Sequence, residues 1–195
     1  MTNRLIILLA GTALTVSACA KHDEANNTMA VNDTNMMTDN GMGNGDMNAA
    51  APASAMTAQG FANAAAASDR FEIESSKLAA SQGTSAAVKS FAAKMISAHS
   101  ASTAKLKATV SGMSPAITPD DTLSPAQQQS LDSLKGIKGA DFDSAYASAQ
   151  VSAHQMTLDA LKGYAASGDN AQLKSFANGM IPTVTAHLNM AKGLK

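Results

Sequence analysis

Apolar residues recur every three or four positions along most of the chain from residue 57 onward. This spacing predicts α-helices, because it places the apolar side chains on one face of a helix with 3.6 residues per turn. Glycines, prolines and capping residues divide the pattern into segments. The pattern predicts a short helix near residues 124–135 and four long helices near residues 57–82, 85–111, 140–167 and 170–192.

The connections between these helices predict how they pack. Short breaks at residue 83 and at residues 168–169 form two antiparallel hairpins, and a long segment rich in Pro and Asp joins the hairpins. A connection of this length can return along a whole helix. We therefore expect an all-α, ferritin-like four-helix bundle with one long crossover that carries a short extra helix. Pro182 is expected to kink or loosen the last helix.

The N-terminus has the pattern of an export signal. Arg4 precedes an apolar run over residues 5–16, which is too short to span a bilayer permanently. The V-S-A-C sequence at residues 16–19 resembles the bacterial lipobox, and Cys19 is the single cysteine of the chain. We predict a signal peptide over residues 1–18 and a lipid anchor on Cys19; the alternative is an ordinary signal peptide that contains a cysteine. Ala20, and not Asp, follows the cysteine, which by resemblance to Gram-negative lipoproteins implies the outer membrane, facing the periplasm.

Residues 19–56 show neither helical nor strand periodicity and are rich in Asn, Asp, Gly and Met. Such a composition buries too little apolar surface to offset the cost of ordering, so it predicts a disordered tether before a bundle domain over residues 57–195. Thioethers are soft ligands for Cu(I), but regular methionine repeats are missing and a plain spacer is favoured. The six methionines concerned are Met29, Met36, Met37, Met42, Met47 and Met56.

Composition narrows the classes of function. A net charge of −1 and a pI near 6.4 provide no electrostatic basis for binding nucleic acid. Aromatic residues make up only 4% of the chain, so the apolar content is largely alanine, which favours closely packed helices. The sequence contains no nucleophile–base set, phosphate-binding loop or C-x-x-C motif, and we expect no enzymatic activity.

Three of the four histidines lie on the apolar stripes of different helices. His99, His154 and His187 each lie near the middle of a predicted helix, so we expect all three to face inward in one layer. Glu72 lies at a similar depth in the first helix. Two interpretations remain open, a structural or proton-sensitive hydrogen-bonded layer and a metal site.

A di-iron centre is poorly supported, because its E-x-x-H motifs are missing. Ile96, Val151 and Val184 occupy the positions three residues before the histidines. If a metal binds, one transition-metal ion held by three histidines and Glu72 is expected, and Zn, Cu or Fe would suit such ligands.

The blocks R-F-E-I-E-S-S-K-L-A-A, V-K-S-F-A-A-K-M-I-S-A-H-S and G-A-D-F-D-S-A-Y-A-S-A-Q-V-S-A-H, together with the C-terminal repeat of K-S-F-A, resemble the domain-of-unknown-function 4142 family. The resemblance implies an exported bacterial protein with a ferritin-like fold. It also implies that Asp143 and Tyr146 belong near the site as outer residues. Family members usually carry an acidic residue directly before the histidine of the second helix. This chain has Ala98 there, which predicts a weaker charged environment for His99. The family's recurrent positions fall here on Glu72, His99, Asp143, Tyr146, His154, Pro182 and His187.

These observations favour a lipoprotein of the bacterial envelope with a non-catalytic binding, sensing or structural role. The membrane is the expected partner, through the lipid anchor, and self-association remains open. The alternative is a metal-binding or redox bundle centred on the three histidines and Glu72.

Overall fold

The computed structural model of the chain describes residues 56–194. Helices, and no strands, form the regular structure of this range, and their bounds lie within one residue of the predicted ones. The helices are α1 (Ala58–Gln82), α2 (Ala86–Val110), α3 (Pro125–Lys135), α4 (Gly139–Ser167) and α5 (Ala171–Lys192). The signal peptide, Cys19 and nearly all of the tether fall outside the described residues, so those predictions stay predictions.

Side chains at the helix N-termini explain why the boundaries could be predicted. Thr57, Ser85, Ser124 and Asn170 each accept a hydrogen bond from a backbone N–H of the first turn that follows. Such caps satisfy N–H groups that have no partner within the helix. Only α4 starts without a side-chain cap, after Lys138.

The helices form the expected bundle. Helices α1 and α2 make one antiparallel hairpin, and α4 and α5 make the other. Helix α1 packs on α4 and α2 packs on α5, while α3 covers α1 and α4 from the crossover. The prediction of an all-α bundle whose crossover carries a short helix is therefore confirmed. Helix α5 runs without interruption through Pro182, which lacks the N–H that would bond the carbonyl of Asn178.

Both hairpin turns require glycine, because the surrounding atoms leave no space for a Cβ atom. A Cβ atom on Gly168 would lie 2.6 Å from the carbonyl oxygen and from the ring atom Cε1 of Tyr164. A Cβ atom on Gly83 would lie 2.8 Å from the carbonyl oxygen of Ala79 and from a carboxylate oxygen of Asp143. These glycines allow each hairpin to close tightly, which fixes how far one helix is shifted along the other.

The core consists of two main apolar clusters with polar side chains between them. One cluster surrounds Phe61, Tyr164 and Phe176, and the other surrounds Phe91 and Phe142. Along each long helix, the buried polar residues come between members of the first cluster and members of the second. The buried polar residues between the clusters are Asp69, Glu72, Ser75, Ser76, His99, Ser102, Gln150, His154 and His187.

None of the helices between residues 56 and 194 combines the length and the apolar character that crossing a membrane requires.

Candidate metal centre

Three imidazole rings meet inside the bundle. His99 lies on α2, His154 on α4 and His187 on α5, and the distances between their ring centroids are 5.7, 5.7 and 5.6 Å. The side chains are buried, with exposed fractions of 4%, 1% and 8%. The expectation that the three histidines face inward in one layer is confirmed.

Each of the three rings has one buried nitrogen atom without a hydrogen-bond partner. His99 Nε2, His154 Nε2 and His187 Nδ1 are buried and make no hydrogen bond. One side-chain nitrogen from each histidine can be chosen so that all three lie within 4.8 Å of one another. Buried polar atoms without partners are costly, so a group of three marks a place where a bound ion would be stabilised.

The outer nitrogens of two rings are held by the protein. His154 Nδ1 donates to the backbone carbonyl oxygen of Gln150 at 2.9 Å. His99 Nδ1 donates to the Asp69 carboxylate at 2.8 Å. With the proton on Nδ1, a neutral ring keeps the lone pair of Nε2 for a ligand, as is usual for histidines that bind metal ions.

Asp69 is a site residue that the sequence interpretation missed. It is 5% exposed, and its second oxygen accepts a hydrogen bond of 3.1 Å from the Thr103 hydroxyl. The prediction of a weak charged environment for His99, based on Ala98, is therefore wrong, since the carboxylate comes from α1 instead. The signal was the spacing of Asp69 and Glu72, because residues three apart share a helix face.

Glu72 lies beside the three histidines and not among their donor atoms. It is 1% exposed, neither carboxylate oxygen has a hydrogen-bond partner, and Oε1 lies 3.6 Å from His154 Nδ1. Among the described residues, the group of donor atoms that lie within 4.8 Å of one another contains the three histidines alone. The expectation that Glu72 completes the ligand set is thus corrected; Glu72 adjoins the outer side of His154.

Asp143 and Tyr146 are directed elsewhere. The Asp143 carboxylate accepts hydrogen bonds from the backbone N–H groups of Thr84 and Ser85 and from the Thr84 hydroxyl, so it fastens the turn between α1 and α2. The buried Tyr146 hydroxyl pairs with Ser76 Oγ at 2.7 Å. The structure does not bring either residue into hydrogen-bond contact with a histidine of the site.

The lowered pKa values of two rings favour the neutral form of imidazole, which is the form that binds metal ions. Burial lowers the pKa of His154 and of His187 to about 4, and the neighbouring charge of His99 acts in the same direction. Both rings are therefore neutral at physiological pH, the form in which imidazole binds metal ions.

The remaining two groups hold protons more tightly. Burial raises the pKa of Glu72 to about 7, against the opposing influences of His99 and of the Gln150 side chain. Burial disfavours the charged form of His99, but the hydrogen bond to Asp69 and the charge of Glu72 outweigh this cost and raise the pKa of His99. An incoming cation would displace a proton from His99.

Three convergent imidazole nitrogens, two of them fixed in orientation, fit a transition-metal ion. The described part of the chain therefore defines a class: an all-helical bundle with a buried site of three histidines.

The chain belongs to the family described as domain of unknown function 4142 (DUF4142), whose model matches residues 44–194. The match begins before the predicted domain boundary at residue 57. A solved structure titled "CopM in the Cu(II)-bound form" is similar in fold, with a TM-score of 0.58 and 14% sequence identity. The similarity covers 69% of this chain and 93% of that chain. No curated protein matches the sequence.

Proposed function

We propose that this protein binds one transition-metal ion through His99, His154 and His187. The observation that carries the proposal is a cluster of three buried histidines whose donor atoms come within 4.8 Å of one another and which each have a ring nitrogen without a hydrogen-bond partner. A layer that served only to fix packing would be expected to satisfy these atoms with each other or with neighbouring groups. The pKa values of His154 and His187, both about 4, support the same proposal because these rings need no deprotonation.

Copper(II) and zinc(II) are the ions best suited to this donor set. Imidazole nitrogen binds Cu, Zn and Fe, and divalent affinities at a given site generally rise to a maximum at Cu(II). The fold neighbour whose title gives a Cu(II)-bound form is consistent with copper. Iron is less favoured, since its usual helical-bundle sites require carboxylate ligands on the helices.

We propose that the site binds its ion without catalysing a reaction on a substrate. Three histidines leave a coordination position open, but a catalytic site must also let a substrate reach that position. The three histidines here are at most 8% exposed, and apolar clusters lie on both sides of the layer. Sequestration, transport or sensing of the ion suits such a closed position better than turnover.

The test is metal stoichiometry in the full chain. Metal-free protein that has been incubated with excess Zn(II) or Cu(II) and then desalted is expected to retain one ion per chain by elemental analysis. The triple variant His99→Ala, His154→Ala, His187→Ala is expected to retain none. His22→Ala, which removes the fourth histidine, is the matched control and should bind as the parent does.

Two further observations would separate the outcomes. Circular dichroism shows whether the triple variant remains helical, and His154→Gln alone, a smaller change, should already weaken binding. The Zn(II) measurement avoids the N-terminal methionines, which are soft ligands suited to Cu(I). A folded parent chain that retains neither ion would contradict the proposal.

We also propose that the ion is bound in the bacterial envelope, by a lipid-anchored protein. The lipobox-like residues 16–19 and the single cysteine support this proposal. Cys19→Ser is expected to move the protein from the membrane fraction to the soluble fraction of the producing bacterium, because one residue carries the whole anchor. Ser17→Thr serves as a neighbouring control. Unchanged fractionation of Cys19→Ser would contradict the anchor.

A further inference from the structure

Two buried carboxylates beside the histidines have no lysine or arginine side chain to balance them. Asp69 and Glu72 lie one turn apart on α1. The ion pairs of lysine and arginine within residues 56–194 join other groups, all of them on the surface: Arg70–Asp121, Lys77–Glu74 and Lys135–Asp132. The two carboxylates face only histidines, Asp69 facing His99 and Glu72 facing His154.

Buried charge of this kind must be compensated locally. Removing an ionised carboxylate from water costs several kcal/mol unless a positive charge is close by. Charges also interact more strongly in a protein interior than in water, because the effective dielectric constant is lower. When all three imidazoles are neutral, as metal binding requires, and both carboxylates are ionised, the layer carries a charge of −2. A divalent cation brings this sum to zero, whereas a monovalent cation leaves one negative charge unbalanced.

We propose that Asp69 and Glu72 select the charge of the bound ion, so that the site holds a dication such as Cu(II) or Zn(II) in preference to the monocation Cu(I). This inference rests on the proposed function, since it concerns the ion held by the three histidines. It assigns the carboxylates no place among the ligands; they act through space and through the ring of His99.

Of the two carboxylates, Glu72 is expected to have the more direct effect on the charge of the ion that the site prefers. Both of its oxygen atoms are buried without a hydrogen bond of good geometry, and the side chain of Gln150 is the neighbouring polar group that partly offsets its charge. Asp69 is different, because it already accepts hydrogen bonds from His99 and Thr103. Part of the effect of Asp69 therefore reaches the ion through the orientation and basicity of the His99 ring.

The reduction potential of bound copper measures this preference directly. The full chain loaded with one Cu(II) is titrated with reductant at mildly alkaline pH, and the Cu(II) signal is followed by electron paramagnetic resonance. Glu72→Gln keeps the shape of the side chain and removes its charge, so it should lower the ratio of Cu(II) to Cu(I) affinity at least tenfold. A tenfold change corresponds to a rise of about 59 mV for a one-electron couple.

Two variants serve as controls. Glu74→Gln makes the same charge change on the same helix, but the Glu74 side chain is 46% exposed and paired with Lys77, so the potential should stay near that of the parent. Glu72→Asp keeps the charge and should also stay near the parent. Asp69→Asn is expected to raise the potential, and it provides the measurement if Glu72→Gln does not bind copper.

The outcomes distinguish this inference from the proposed function. If the parent binds copper but Glu72→Gln and Asp69→Asn leave the potential unchanged, selection by charge is overturned and the metal site stands. An equal shift in Glu74→Gln would also overturn it, since the effect would then follow net charge alone. If the parent retains no metal ion, the proposed function itself fails.

Discussion

The metal-free protein is expected to be most stable near pH 6.5 and to lose about 2–3 kcal/mol of its free energy of unfolding by pH 4.5. The pKa values of His154 and His187 are lowered to about 4, so the unfolded chain binds two protons in this window that the folded chain does not. The pKa of Glu72 is raised to about 7, so the folded chain holds one proton that the unfolded chain lacks.

His99 is protonated in both states below pH 6.5, because its folded pKa is raised, and it adds nothing there. The unfolded state therefore binds one proton more in total, and stability rises with pH by about 1.4 kcal/mol per pH unit. Above pH 6.5 the sign reverses, since only folded His99 and Glu72 still hold protons. Chemical denaturation with a chelator present, repeated across this range, measures the curve.

The double variant His154→Leu, His187→Leu provides the control for this curve. It removes the two groups that lose protons on folding and leaves Glu72, so its stability should fall as pH rises from 4.5 to 6.5. A parent curve that is flat over this window, or a double variant with an unchanged slope, would contradict the assignment of the two low pKa values.

Phe61→Ala is expected to destabilise the bundle by about 3–5 kcal/mol, the usual range for removing a buried phenylalanine. Phe61 is 1% exposed and stacks on Tyr164, with ring centroids 4.0 Å apart and an interplanar angle of 12°. Its edge also contacts Phe176, with centroids 6.3 Å apart. The alanine would lose these contacts and leave a cavity, since the three rings come from different helices.

Denaturant unfolding of Phe61→Ala should give a lower midpoint with little change in slope. Met156→Ala is the surface control, because Met156 is 62% exposed and its loss should change stability by less than about 0.5 kcal/mol. Phe61 lies 11 residues before Glu72 on α1, away from the histidine layer, so the variant should retain its metal stoichiometry. A loss below about 1 kcal/mol would show that Phe61 contributes little to the core.

The fold was predictable because its determinants are local. Capping residues such as Ser124 and Asn170, the hairpin glycines and the 3.6-residue apolar period each act within one helix or turn. The shared depth of the three histidines along the bundle could be predicted from the same local signals, since each histidine lies near the middle of its helix. Because short hairpins align the helix centres, equal depth was sufficient to bring the rings together.

The surroundings of the histidines were not predictable in the same way. Which carboxylate reaches His99 depends on the rotation of α1 against α2, and Ala98 gave no sign that Asp69 fills this role. Whether Glu72 faces the metal-binding nitrogens or the outer side of His154 depends on a few degrees of helix rotation and one rotamer. The spacing of apolar residues along the sequence does not reveal small helix rotations or side-chain rotamers. It therefore led to incorrect expectations for the positions of Glu72 and Asp143.

The division of the site between the two hairpins has a consequence for the unfolded chain. His99 belongs to the first hairpin, while His154 and His187 belong to the second, and residues 111–138 separate the hairpins. An ion bound to all three would act as a cross-link that closes a loop of 55 residues between His99 and His154 (154 − 99). A permanent link of that length removes chain entropy worth about 4 kcal/mol from the unfolded state. With one cysteine, the chain cannot form an internal disulfide, and a metal ion would serve the same purpose reversibly.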